Sequence, residues 1–224
     1  PASPFFPASP AFRFLLASTI LATSIPLSQR QCIRICPGLI STFTLTMRYA
    51  PIPPSLFADR RRSFTSKMTP GSVVIFCSND AMHRNGDQSF PFRQDSDLFA
   101  LSGLDQPGTI LVLCPDARHE SSREMAFILP QDPEHAIWNG HRYSNREARR
   151  VSGIHSVYTT GQWDRIMTPL LKSVDTIYVN PLKDDTNSHP LITPNDRMTY
   201  RLREQYPDHT FLHARAILNQ RMMI

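Results

Sequence analysis

Arg93, Asp95 and Asp97 alternate in the most densely specified stretch of the chain, Phe90-Pro91-Phe92-Arg93-Gln94-Asp95-Ser96-Asp97-Leu98-Phe99-Ala100-Leu101-Ser102-Gly103-Leu104. A guanidinium fork beside two carboxylates can lock a turn or hold a polar ligand. The stretch has no nucleophile paired with a base and no set of metal ligands, so its residue types point to a structural turn locked by an Arg–carboxylate pair. Asp95 or Ser96 ahead of an apolar run is a helix N-cap signal, Pro91 keeps the residue before it extended, and Gly103 frees the chain to turn.

Few other residues could carry chemistry. Ile137-Trp138-Asn139-Gly140-His141-Arg142 puts a large aromatic, a glycine and the nitrogenous side chains of His141 and Arg142 at a loop tip, where Trp138 can serve either burial or recognition. The eight histidines are scattered; His209 and His213 bracket a strand-like Thr210-Phe211-Leu212, and a spacing of four aligns side chains only on a helix. No metal site is expected. Asp184-Asp185 reads as a solvated turn. No phosphate loop, nucleophile elbow or internal repeat is present.

The elements that must position these residues follow from periodicity. Ser55 to Met68 has a helical stripe of Leu56, Phe57, Arg60, Phe64 and Met68, ended by Thr69-Pro70-Gly71. Ser72–Cys77 is a short β-branched run and predicts a buried strand; Ser78 to Ser89, with Asn85-Gly86-Asp87, predicts a polar loop. Thr109–Cys114 and Arg123–Leu129 predict two more strands in a hairpin. Ser144-Asn145-Arg146-Glu147 is a capping box for a short helix ending near Gly153. His155–Tyr158 and Thr176–Val179 read as strands, Gln162–Lys172 as a helix, and Thr193-Pro194-Asn195-Asp196 opens a helix to about Tyr206. This alternation predicts a single α/β domain with a mixed β-sheet flanked by helices.

Composition separates the first segment from the rest. Residues 1–58 contain no Asp or Glu, and nine of the 20 prolines fall before residue 55. Met47 is read as the natural start, with 1–46 an unstructured leader from upstream read-through and 47–224 the domain; an organellar targeting segment is the second reading of 1–46. Phe14 to Ile25 is too short for a membrane span. Without Arg13, Arg30 and Arg34 the net charge of +5 falls to +2, so the basic balance is no argument for nucleic acid. Arg60-Arg61-Arg62 reads as an exposed run that solvates a helix face. Cys77 and Cys114 lie in strand-like runs without zinc spacing, which fits a reducing cytoplasm, although neighbouring strands could bring them together.

Arg93-Gln94-Asp95-Ser96-Asp97 with its apolar flanks, preceded by Pro70-Gly71-Ser72 and a buried strand and followed by Pro107 to Leu113 and Ile137-Trp138-x-Gly-x-Arg142, resembles the N-terminal domain of aminopeptidase P (Xaa-Pro aminopeptidase), from about Leu56 to Ile224. The resemblance implies the creatinase-like N-terminal fold and, in intact members, a C-terminal pita-bread domain. There two Asp, one His and two Glu hold two metal ions, usually manganese, that activate a water against the bond before proline. It places that catalytic half outside this chain, so it implies no catalytic residue, metal ligand or cofactor here and no activity of this chain alone. It implies homo-oligomer contacts, peptides with proline at the second position as the intact enzyme's substrates, and two rim residues: Trp138 against the proline side and Asp87 near the amino end. Arg93, Gln94, Asp95, Ser96 and Asp97 stay structural. Asn139 and His141 depart from the aromatic or basic residues that members can carry there. No nucleic-acid or membrane partner is implied. The competing expectation is a free-standing module that binds peptides or proteins without catalysis.

Overall fold

Ser72-Val73-Val74-Ile75-Phe76-Cys77 has no polar alternation to offer to water, and it forms β1 (Ser72–Cys77), buried at every residue inside a six-stranded sheet. The computed structural model describes residues 51–132, 136, 140–182 and 191–219. On one side of β1 lies β4 (Ile110–Leu113), antiparallel to it. Then come β5 (Glu124–Ile128), antiparallel to β4, and β6 (Ser156–Thr159), parallel to β5. On the other side β7 (Thr176–Val179) and β8 (Thr210–His213) run parallel to β1. The order is therefore β6-β5-β4-β1-β7-β8, a mixed sheet.

Successive strand residues point to opposite faces, so each strand contributes to two cores. Val74 and Phe76 pack with Phe64, Leu98, Leu101, Ala148 and Ile217. These come from α1 (Pro54–Thr65), α2 (Ser96–Ser102), α3 (Asn145–Ser152) and α6 (Arg215–Asn219). Val73, Ile75 and Cys77 pack on the other face with Trp163, Met167, Leu171 and Leu202. Those belong to α4 (Trp163–Leu171) and α5 (Pro194–Gln205). The described residues thus form an α/β domain with helices on both faces of a mixed sheet.

Local chemistry sets the helix ends. Ser144 and Glu147 complete the capping box of α3, and Thr193 with Asp196 does the same for α5, where Pro194 occupies the first turn. Gly103 and Gly153 close α2 and α3 in the left-handed conformation, with φ of +68° and +71°.

The structure departs from the sequence reading in three places. The polar loop between Ser78 and Ser89 contains a second, two-stranded ladder, β2 (His83–Asn85) with β3 (Gln88–Ser89), because Gly86 takes φ +54° and closes a tight turn. The helix α6 was not expected from so short a run. Cys77 and Cys114 are free and buried, in keeping with thiols that pack as small hydrophobes, and they are not neighbours: Cys77 lies opposite Ile110, whereas Cys114 follows Leu113, which lies opposite Val74. Lastly, the Arg60–Arg62 run is not uniformly exposed: Arg61 is 0% exposed. Phe57, Arg61 and Phe64 fall at i, i+4 and i+7 of α1, so helix geometry turns the middle arginine inward.

Candidate functional site

The chain leaves β1 through Ser78, Asn79 and Asp80, passes through the β2–β3 hairpin and returns along Phe90–Asp97 into α2. Every residue from Asp80 to Pro91 is exposed, so the hairpin is an arm outside both cores. Asp87 sits beside Gly86 in its turn, with its carboxylate in solvent. Arg84 lies over the Phe90 ring, 5.9 Å from its centroid, and Phe90 N donates to Met82 O at 2.8 Å, closing the base of the arm.

Gln94 organises the return strand. Its Nε2 donates to Leu104 O at 2.9 Å and Gln106 O at 3.0 Å, while its Oε1 accepts from Asp95 N at 2.9 Å and Asn79 N at 3.4 Å. A side chain only 6% exposed therefore ties both ends of α2 to the exit of β1. Asp95 Oδ1 accepts from Asp97 N at 3.1 Å and Leu98 N at 2.9 Å as the N-cap of α2. Burial pushes the Asp95 carboxyl above its ordinary value and the charge of Asp97 adds to this, against the two backbone N–H groups that lower it. Asp97 Oδ2 accepts from Asn180 Nδ2 at 2.9 Å, linking α2 to the end of β7. Ser96 is exposed in the first turn. Arg93 is exposed and pairs with neither Asp95 nor Asp97, so the turn is locked by an amide and an N-cap, not by the Arg–carboxylate pair anticipated from the sequence. The spacing of Gln94 carries no such signal; its role depends on the chain doubling back through Leu104 and Gln106.

The second expected rim residue, Trp138, lies outside the described residues, as do Asp184-Asp185 and the segment 1–46. Nearby, Glu147 Oε2 accepts from Ser144 N at 2.8 Å and Ser144 Oγ at 2.8 Å, and His141 Nε2 lies 3.1 Å from it. These donors, Ser144 first, hold the Glu147 carboxyl down to about 2. His209 and His213 each place a ring nitrogen on a backbone carbonyl, of Leu171 and Pro181.

A cleft of about 310 Å³ beside the arm is lined by Cys77, Ser78, Asp80, Thr109, Arg197 and Arg201. Its arginines are engaged: Arg197 with Asp80 at 2.8 Å and Arg201 with Asp164 at 3.0 Å. Among the described residues no group of three or more His, Cys, Asp or Glu converges to hold a metal ion, so they do not fit the manganese pair that the resemblance implies.

Comparison with known proteins agrees with this geometry. The model of the aminopeptidase P N-terminal domain matches residues 57–178, from α1 to β7. An Xaa-Pro aminopeptidase of Haemophilus influenzae is 29% identical over 132 residues, 59% of this chain and 30% of the relative. That of Escherichia coli is 28% identical over 123 residues, 54% of this chain and 27% of the relative. The chain thus spans less than a third of the length of these curated relatives. Among solved structures, a Bacillus anthracis protein assigned to aminopeptidase P superposes with a TM-score of 0.67 at 25% identity, covering 76% of this chain and 40% of that one. With the family model matching more than half its length, the chain belongs to the aminopeptidase P N-terminal domain family.

Proposed function

We propose that this chain acts as the amino-terminal part of an Xaa-Pro aminopeptidase, shaping the rim of a peptide site while metal-bound chemistry, with manganese as the expected ion, is carried by residues other than those described. The observation that carries this reading is the exposed Asp87 arm held beside the Gln94 turn, within the stretch that matches the family model. A carboxylate on a solvent-facing hairpin can attract the ammonium of a peptide's first residue and orient the bond before proline; it needs no proton transfer to do so. Trp138 supplies an apolar wall for the proline ring. Homo-oligomer contacts fit such a rim, since an arm free of its own core can reach a neighbouring copy. Buried free thiols at Cys77 and Cys114 fit a reducing cytoplasm. Among the described residues no helix is long and apolar enough to cross a membrane.

The test joins this chain to the catalytic portion of the Haemophilus influenzae relative and measures release of the first residue from an Xaa-Pro peptide. Asp87→Asn is expected to raise KM by about tenfold, the worth of one charged hydrogen bond, with kcat largely kept. Trp138→Ala is expected to lower kcat/KM by a similar factor. If both variants cleave as the parent does, the rim role fails. If the fusion binds proline peptides without cleaving them, a binding module replaces the enzyme reading.

A further inference from the structure

We infer that Arg197 is a positioning residue which, through Asp80, aims the Asp87 arm relative to α5. The arm has no buried residue of its own from Asp80 to Pro91, and a two-residue ladder does not hold an orientation in water unaided. Its direction must come from its two stems. The return stem is tied by Gln94 and by Asn79 Nδ2, which donates to Arg93 O at 3.1 Å. The outgoing stem is gripped from α5 at two points. Asn195, 6% exposed, pairs with the backbone of Cys77 as a strand would, accepting from Cys77 N at 2.8 Å and donating to Cys77 O at 3.2 Å. Two residues further along α5, Arg197 Nη2 reaches both oxygens of Asp80, at 2.8 and 2.9 Å, while its Nη1 donates to Ile192 O at 3.2 Å. The first point fixes where β1 ends. The second fixes which way the chain leaves it, three residues before β2 begins.

The contact is more than a loose attraction of charges, because Nη2 bridges both carboxylate oxygens of Asp80 while Nη1 is anchored on Ile192 O, so the guanidinium itself is held in place where it meets the stem. Both partners are about half exposed, so the pair adds little to global stability. A weak pair can still bias an orientation where the segment it steers has no buried residue of its own. The consequence for substrate rests on the aminopeptidase reading above; the mechanical claim does not.

Amide hydrogen exchange of the full chain tests it in Asp80→Asn, Arg197→Gln and the swapped pair D80R/R197D. In either single variant, exchange at Phe90 and across His83–Ser89 should rise by about two- to fivefold, as expected for losing a modest ion pair. Exchange in β1 and the thermal midpoint should stay close to the parent, and the swap should restore the arm's protection. Unchanged arm exchange in the single variants overturns the proposal, and so does a swap that restores nothing, since the effect would then be general loosening. In the fusion described above, Arg197→Gln should raise KM while kcat is kept. If the arm loosens in R197Q but Asp87→Asn leaves KM unchanged, the positioning role stands and the rim reading falls. If the arm does not loosen, the positioning role falls even where Asp87→Asn raises KM.

Discussion

Asp95 and Glu147 are both carboxylates at helix starts, yet their surroundings drive them in opposite directions. Asp95 is pushed above its ordinary value by burial, so between the unfolded value of 3.8 and the higher folded one the native state binds more protons than the unfolded state. Its contribution to stability therefore falls as pH rises through that window. Asp95→Asn keeps a good N-cap without the charge and should be at least as stable as the parent at pH 7, whereas Asp95→Ala should lose about 1 kcal/mol in urea unfolding. Equal stability of D95A and D95N would show that the cap contributes nothing. Glu147 behaves the other way: its folded value of about 2 lies below the ordinary 4.5, so its contribution is present above pH 4.5 and is lost as pH falls toward 2. Glu147→Gln should flatten the acid limb of the stability profile between those values, and a limb that keeps the parent's slope would assign the acid loss to other groups. The capping residues were legible because a cap is a local pattern. Gln94 was named as structural only through the family resemblance; its bonding was not legible, since its four partners lie up to 15 residues away in sequence.

At the level of elements, α2 shows how packing sharpens what a turn signal only suggests. Gly103 was readable as a stop, but the reason no other residue serves there is tertiary: a Cβ at this position would run into the ring of Phe57 from α1, on top of the left-handed φ of +68°. Gly103→Ala should cost about 2–4 kcal/mol, combining the backbone penalty with overpacking. Gly86, at φ +54° with nothing within 4 Å of its would-be Cβ, is the control. Gly86→Ala should cost only the backbone part, about 1 kcal/mol, and mainly within the arm. Equal urea midpoints for the two variants would rule out the Phe57 contact as the cause. The arm itself was missed for a related reason: Asn85-Gly86-Asp87 is a turn signal, but its flanks, His83-Arg84 and Gln88-Ser89, lack the alternating apolar residues by which a strand is recognised.

Across the whole molecule, the central strands were legible because burial on both faces leaves apolar runs with sharp ends, and α2, α3 and α5 were announced by their caps. The tie between layers was not legible, because it is a charge in the core. Arg61 Nη1 donates to Leu101 O at 2.9 Å and Ser152 O at 3.0 Å, the last turns of α2 and α3, and its Nε and Nη2 both lie 2.9 Å from Glu124 Oε2 at the start of β5. One guanidinium thus receives two helix C-termini and a strand carboxylate, each a favourable partner for a cation. Arg61→Met fills similar volume but leaves both carbonyls without that donor and Glu124 without its counter-charge. It should lose about 3 kcal/mol or more, a large share of a domain's 5–15 kcal/mol. Glu124→Gln leaves the two carbonyl bonds in place and, with Glu124 37% exposed, should lose about 1 kcal/mol. Arg61→Lys should fall between them, because one ammonium cannot span three acceptors held by three different elements. If urea unfolding ranks E124Q as more damaging than R61M, a buried guanidinium without its counter-charge costs more than its bonds to the two helix ends return, and α1 is held by its phenylalanines rather than by its arginine.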